Sequence, residues 1–188
     1  MCASYCQEDA LRSCDTTRPK KSQKKYFIVH SRLVKQKNVQ LLIETCTRYA
    51  LPLKVIGEGY LRPSLEKAAG PTVEFLGFVP DRVLVKLYQS AIALLYAAQD
   101  EDFGIVPIEA QSAGVPVIAY KSGAVKETVI EGVTGYFFDR LTGVSVLAAI
   151  KKLEKRPLRP MDSRRHAKQF SKERFRKQIR TIVKEHIK

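Results

Sequence analysis

At 188 residues, with 45% apolar side chains and a formal net charge of +14, the chain is long enough for one ordinary core and too short for two full ones. No apolar run approaches the roughly 20 residues of a membrane-spanning helix, and the N-terminus MCASYCQEDALRSCD lacks a basic-then-apolar leader pattern, so a cytosolic chain is expected. Cys2, Cys6, Cys14 and Cys46 form no CxxC pair and have no histidine at zinc-ligand spacing, which suggests neither a zinc site nor a disulfide framework and leaves free thiols.

Residues 1–25 are polar and aperiodic, end in RPKKSQKK, and read as a flexible basic arm or linker remnant. Charge collects at the two ends. Residues 18–37 carry eight Lys/Arg and no acid, residues 151–188 carry fifteen against four, and the stretch between carries nine against twelve. Such ends suit nucleic acid, anionic headgroups or phosphorylated substrates alike. They lack interleaved aromatics and any recognised RNA or DNA module, so no specific nucleic acid is expected.

From Tyr26 onward, short aliphatic runs (YFIVH, LKVI, VEFL, AIALLY, PVIAY, GYFF) alternate with amphipathic stretches. Helices are predicted over residues 38–49, 61–69 and 80–90, the first with Leu41, Leu42, Thr45 and Cys46 at helical spacing and the last with Val83, Leu84, Leu87 and Tyr88 on one face. Strands of four to six residues alternating with helices predict an α/β chain with a Rossmann-like, doubly wound parallel sheet of about six strands. Two basic amphipathic segments, 144–153 and 170–187, close the chain; the second sets Phe175, Ile179, Ile182 and Val183 on one stripe.

In an open α/β sheet, ligands bind beyond the carboxyl ends of the strands. After AIALLY comes Glu101-Asp102-Phe103-Gly104-Ile105-Val106-Pro107-Ile108-Glu109. Gly104 permits tight backbone and Pro107 belongs in a helix's first turn, so Glu101 falls in the loop and Glu109 in the early helix. A helix N-terminus there suits a diphosphate. Glu101 and Asp102 then either cap the helix or accept hydrogen bonds from sugar and ribose hydroxyls. After the first strand, Arg32, Lys35 and Lys37 form either a solvated basic loop or a phosphate clamp. After the second, Gly57-Glu58-Gly59-Tyr60-Leu61-Arg62 starts like a dinucleotide fingerprint but has Arg62 at the third glycine, leaving turn glycines or a loop beside a nucleotide.

Together these stretches resemble the donor-binding, C-terminal domain of the retaining GT-B glycosyltransferases with the E-x7-E motif, the group 1, mannosyltransferase-like kind. Glu101 and Glu109 match the motif, EDFGIVPIEAQSAGVPVIAY matches its surroundings, and SRLVKQK resembles the phosphate clamp. VIGEG, VEFLGFVPD and TGYFF follow in the family's order. The resemblance covers about residues 26–187 and implies one half of a GT-B fold, spanning residues 26–188 with basic C-terminal helices.

It further implies that Arg32 and Lys37 hold the diphosphate with the N–H groups near Gly104, Ile105 and Val106. Glu101 contacts the transferred sugar, Glu109 the ribose, and the segment around Val79 the base, with Gly57 and Phe103 beside the donor. Arg32, Lys37 and Glu101 carry the catalysis, no metal or cofactor is implied, and GDP-mannose or a UDP-sugar is the donor. Ser122-Gly123-Ala124 stands where the family has paired glycines. The family's acceptor-binding N-terminal domain is the expected partner, on this chain or another, with an anionic membrane surface as a second. That domain supplies a histidine near the reacting carbon; His30 ends a strand here, and His166 and His186 are read as solvent-facing. The Phe175 stripe either meets a partner or membrane, or folds onto its own domain.

Overall fold

The computed structural model describes residues 25–186. The arm expected over residues 1–25 thus lies outside the described residues apart from Lys25, as do Cys2, Cys6 and Cys14. Cys46 is a free, fully buried thiol whose pKa burial pushes up to about 12.

Six parallel strands, β1 (Tyr26–His30), β2 (Leu53–Ile56), β3 (Val73–Gly77), β4 (Ala91–Tyr96), β5 (Val117–Tyr120) and β6 (Gly135–Phe138), form one sheet in the order β3-β2-β1-β4-β5-β6. The helices are α1 (Val39–Arg48), α2 (Arg62–Ala68), α3 (Asp81–Ser90), α4 (Ile105–Ser112), α5 (Val125–Thr128), α6 (Gly143–Lys155), α7 (Pro160–Ala167) and α8 (Lys172–His186). Chain order reverses direction between β1 and β4, which opens a crevice at their carboxyl ends.

The strands read as near-continuous apolar runs because both faces of the sheet are covered. Phe27, Val29, Val55 and Leu95 pack with Leu42 and Ile43 of α1, Leu65 of α2 and Val146 and Ile150 of α6. Tyr26, Ile28, Leu94 and Tyr96 pack on the other side with Leu84 and Tyr88 of α3, Ala110 of α4 and Val125 of α5. Each fully buried Leu, Ile or Val contributes about 1.5–3 kcal/mol, so the two aliphatic layers carry most of the fold's stability. The central pair is irregular: Tyr26 and Ile28 pair with Ala91 and Leu94, so β4 carries one extra residue at the amino-terminal end of the strands, away from the crevice.

Two expectations need correction. In α3, Leu84 and Tyr88 are buried and Leu87 packs against the same core, while Val83 is exposed, so the expected face loses only its first residue. The basic tail is three helices rather than two. α7 was missed because it buries Ser163, His166 and Ala167 instead of large apolar residues, and Phe170 belongs to a 3-10 turn (Lys168–Phe170) ahead of α8. Pro160 at the helix start was the one available sequence signal.

Candidate functional site

The loop after β1 is fixed by backbone contact with the loop after β2. Ser31 N–H donates to Ile56 C=O at 3.0 Å and Leu33 N–H to Glu58 C=O at 2.9 Å, with Leu33 fully buried. Gly57, at φ +119°, and Gly59 are required there: a Cβ on either would stand 2.0 Å from Ser31 O or 2.3 Å from Leu33 O. These glycines serve close backbone approach, and what they place is the segment bearing Arg32. Asn38, left-handed at φ 48°, ties this segment to the end of β4 by donating from Nδ2 to Ala97 C=O at 3.0 Å, beside Gln99 N–H to Gln36 C=O at 3.2 Å.

Across the crevice, residues 97–104 present Glu101. Its C=O accepts Ala124 N–H at 3.0 Å, and a Cβ on Gly123, at φ +55°, would lie 2.8 Å from the same oxygen. Ser122 Oγ accepts from Asp100 N–H at 3.3 Å and donates to Asp100 Oδ1 at 3.2 Å. The Ser122-Gly123-Ala124 segment therefore acts as a brace for the Glu101 loop. Lys37 Nζ donates to Glu101 Oε2. Burial alone would raise the Glu101 pKa, but hydrogen bonds from Lys37 and Tyr96 and the charges of Lys37 and Arg32 outweigh it, and the carboxylate is held below its ordinary range. Arg32, Lys37 and Glu101 are thus one electrostatic group at the reversal point. The Tyr96 hydroxyl is pushed up, by burial first and then by Glu101.

Gly104, left-handed at φ 74°, is the N-cap of α4, and neither Glu101 nor Asp102 supplies a side-chain cap. The first N–H groups of α4, those of Ile105 and Val106, have no intrahelical acceptor, and buried Pro107 has none to offer. One turn on, Glu109 is mostly buried and its Oε2 has no hydrogen-bond partner. Burial, then the charge of Asp81, pushes its pKa up to about 7. His30 Nδ1 lies 3.7 Å from that oxygen and within hydrogen-bonding distance, 2.9 Å, of the Tyr88 hydroxyl. Burial lowers the His30 pKa, with Asp81 opposing, which leaves a neutral ring beside Glu109.

The other predicted residues spread along the same edge of the sheet. Val79 is half-buried after β3, next to Phe78 at 80% exposure. Phe103 is half-exposed and its ring meets Phe170. Sequence reasoning did not find Asn38, Tyr96, Tyr88 or Asp81, since their parts depend on strand order; only the left-handed tolerance of Asn was a readable hint. His166, read as solvent-facing, is buried at 8% exposure because α7 packs it into the fold. His186 is exposed. Among the described residues, no three of His, Cys, Asp and Glu converge as a metal-ligand set, and no helix is long and apolar enough to cross a membrane.

Residues 15–174 match the family model of the glycosyl transferases group 1. The chain belongs to this family. It is 48% identical over 71 residues to the alpha-1,3/1,6-mannosyltransferase alg-2 of Neurospora crassa, covering 37% of this chain and 15% of that one. Identity is 30% over 140 residues to a D-inositol 3-phosphate glycosyltransferase of Corynebacterium efficiens, covering 72% of this chain and 32% of the relative. The chain thus spans about a third or less of the length of these relatives. The fold is that of one Rossmann-like half of a GT-B enzyme. The pneumococcal O-GlcNAc transferase GtfA, solved with UDP and GlcNAc, superposes with a TM-score of 0.75 over 87% of this chain and 36% of that one, at 20% identity.

Proposed function

We propose that the chain is the donor-binding half of a retaining, metal-independent glycosyltransferase. It moves a hexose, mannose foremost, from GDP-mannose or a UDP-sugar to a polysaccharide or glycolipid acceptor at the cytoplasmic face of a membrane. The observation that carries this reading is the group at the β1/β4 reversal: Lys37 is bonded to Glu101 with the charge of Arg32 on the same carboxylate, three residues ahead of the cap of α4, and Glu109 offers a buried oxygen without a hydrogen-bond partner. The GtfA relative holds UDP and a sugar on the same fold.

In this proposal Arg32 and Lys37, with the N–H groups of Ile105 and Val106, bind the diphosphate. As the glycosidic bond to the diphosphate lengthens, negative charge grows on the leaving oxygen and the sugar acquires oxocarbenium character. Fixed positive groups interact more strongly with that leaving oxygen in the transition state than in the ground state. Lys37 keeps its bond to Glu101 on one side and meets phosphate oxygen on the other, since an ammonium has three donors. Glu101 accepts from hydroxyls of the transferred sugar. Glu109 takes the ribose hydroxyls, and Val79 lies against the base.

Acceptor binding belongs to a second Rossmann-like half, on this chain's longer form or on a partner, and the isolated 188 residues bind donor without turnover. A non-catalytic subunit that completes such an enzyme in trans rests on the same exposed α8 stripe. Calorimetric titration with GDP, UDP, GDP-mannose and UDP-glucose, with and without chelator, tests the proposal. Saturable, chelator-insensitive binding with one base preferred is the expected result; a folded chain that binds none of the four refutes the donor site.

A further inference from the structure

Three aromatic rings, running from Phe103 beside the expected donor site to two rings outside it, form a chain of edge contacts. Phe103 meets Phe170 with centroids 6.2 Å apart and planes at 78°, and Phe170 meets His166 at 5.3 Å and 76°. Both pairs are T-shaped, the favoured arrangement for aromatic quadrupoles. His166 is the buried end: burial lowers its pKa, with a backbone interaction at Thr128 opposing. Its imidazole packs edge-on against the Phe170 ring. α7, which carries it, is docked on the end of α4, where Arg164 Nη2 donates to Ala113 C=O at 3.3 Å.

The opposite end of the chain of rings lies in the Glu101 loop. Gln99 and Asp100 are tied by their N–H groups and Glu101 by its carbonyl, whereas the N–H groups of Asp102 and Phe103 donate no hydrogen bond among the described residues. Those two residues separate Glu101 from Gly104, the left-handed cap that aims α4. With neither N–H donating among the described residues, the contact of the Phe103 ring with Phe170 is an attachment of this step to the rest of the fold.

We infer that Phe170, backed by His166, is a positioning residue for the donor site: by clasping Phe103 it holds residues 101–104, so that Glu101 stays on Lys37 and the first N–H groups of α4 stay aimed at the diphosphate. This inference rests on the proposed donor site for its function, while the clasp itself is a property of the loop. It makes the α7–α8 junction, some 65 residues further along the chain, part of the machinery that shapes the sugar pocket.

Amide hydrogen exchange over residues 100–106 in the full chain tests the clasp without any ligand. Phe170→Ala and Phe103→Ala should each speed exchange there about three- to tenfold, with β4 and β5 unchanged. The double variant should be no faster than either single, and Phe170→Tyr should restore wild-type protection. Unchanged exchange in both single variants, or effects that multiply in the double, would overturn the clasp. Should Phe170→Ala fail to fold, Phe103→Ala decides alone, because that half-exposed ring is dispensable for the core: no change over 100–106 then sinks the idea. Calorimetry with GDP and UDP on the same proteins separates the two layers. Wild-type chain that binds neither, together with a coupled Phe103–Phe170 pair, fails the donor site and keeps the clasp. Wild-type chain that binds one of them, with weaker diphosphate binding but unchanged nucleoside binding in Phe170→Ala, supports both.

Discussion

The loop after β1 and the helix α8 are both rich in Lys and Arg, and the fold treats them in opposite ways. In the β1 loop, Lys37 is bound to Glu101, Arg32 acts on the same carboxylate, and the backbone is crossed by bonds from the β2 and β4 loops. In α8, Arg174, Arg176, Lys177, Arg180 and Lys184 flank an exposed stripe of Phe175, Ile179, Ile182 and Val183, and no residue of the helix is buried. Like residue types are therefore fixed equipment in one place and an unoccupied face in the other. Composition alone does not separate the two cases; the backbone around the charge does.

The largest effect is expected from attacking the fixed region at its backbone. Gly57→Ala places a Cβ against Ser31 O at φ +119° and should cost about 3 kcal/mol or more, lowering Tm by about 10 °C in a thermal melt. A melt within about 2 °C of wild type would mean that the loops are not locked together.

Next comes the pH dependence of stability. The Glu109 pKa is raised to about 7, so between its unfolded value near 4.5 and 7 the native state holds a proton that the unfolded chain has released. Its contribution is therefore complete below that window and is lost as pH rises through it, on the order of 2 kcal/mol by pH 8. His30, lowered by burial, works in the opposite sense, with stability that rises with pH through its own titration. Urea melts at pH 5 and pH 8 should therefore show a loss in wild type that Glu109→Gln diminishes; equal pH dependence in the two proteins would contradict the assignment.

Arg32→Ala should weaken GDP or UDP binding about 10- to 100-fold, as expected for a lost charge-assisted contact, while nucleoside affinity changes less than about twofold. Equal losses on both ligand types in calorimetry would remove Arg32 from the clamp. The smallest effect belongs to α8: Phe175→Ser and Ile182→Ser should each change the stability of this chain by less than about 0.5 kcal/mol, since neither side chain is buried. A larger loss in a denaturant melt would show that the stripe does pack on its own fold.

Much of this architecture was legible in the sequence. The six strands stand where the apolar runs placed them, because parallel strands covered on both faces need unbroken aliphatic stretches. Gly104 and Pro107 located the start of α4, because each restricts backbone geometry by itself. What failed to show in the sequence depends on who meets whom. Strand order decides that Tyr96 reaches Glu101 and that Tyr88 and Asp81 surround His30, and no local pattern records it. α7 escaped for a different reason: its buried face is Ser163, His166 and Ala167, which apolar periodicity ignores.

Under the proposed donor site, Glu109 also bears on selectivity. A carboxyl with a pKa of about 7 is present near neutrality as both acid and anion, so it can donate to one hydroxyl or accept from another. With Oε2 buried and unpartnered, a sugar that brings a hydroxyl relieves a desolvation cost, and one that lacks the hydroxyl leaves it in place. Discrimination between ribo- and deoxyribonucleotides would then come from the fold's own unpaired acceptor, with no steric gate required.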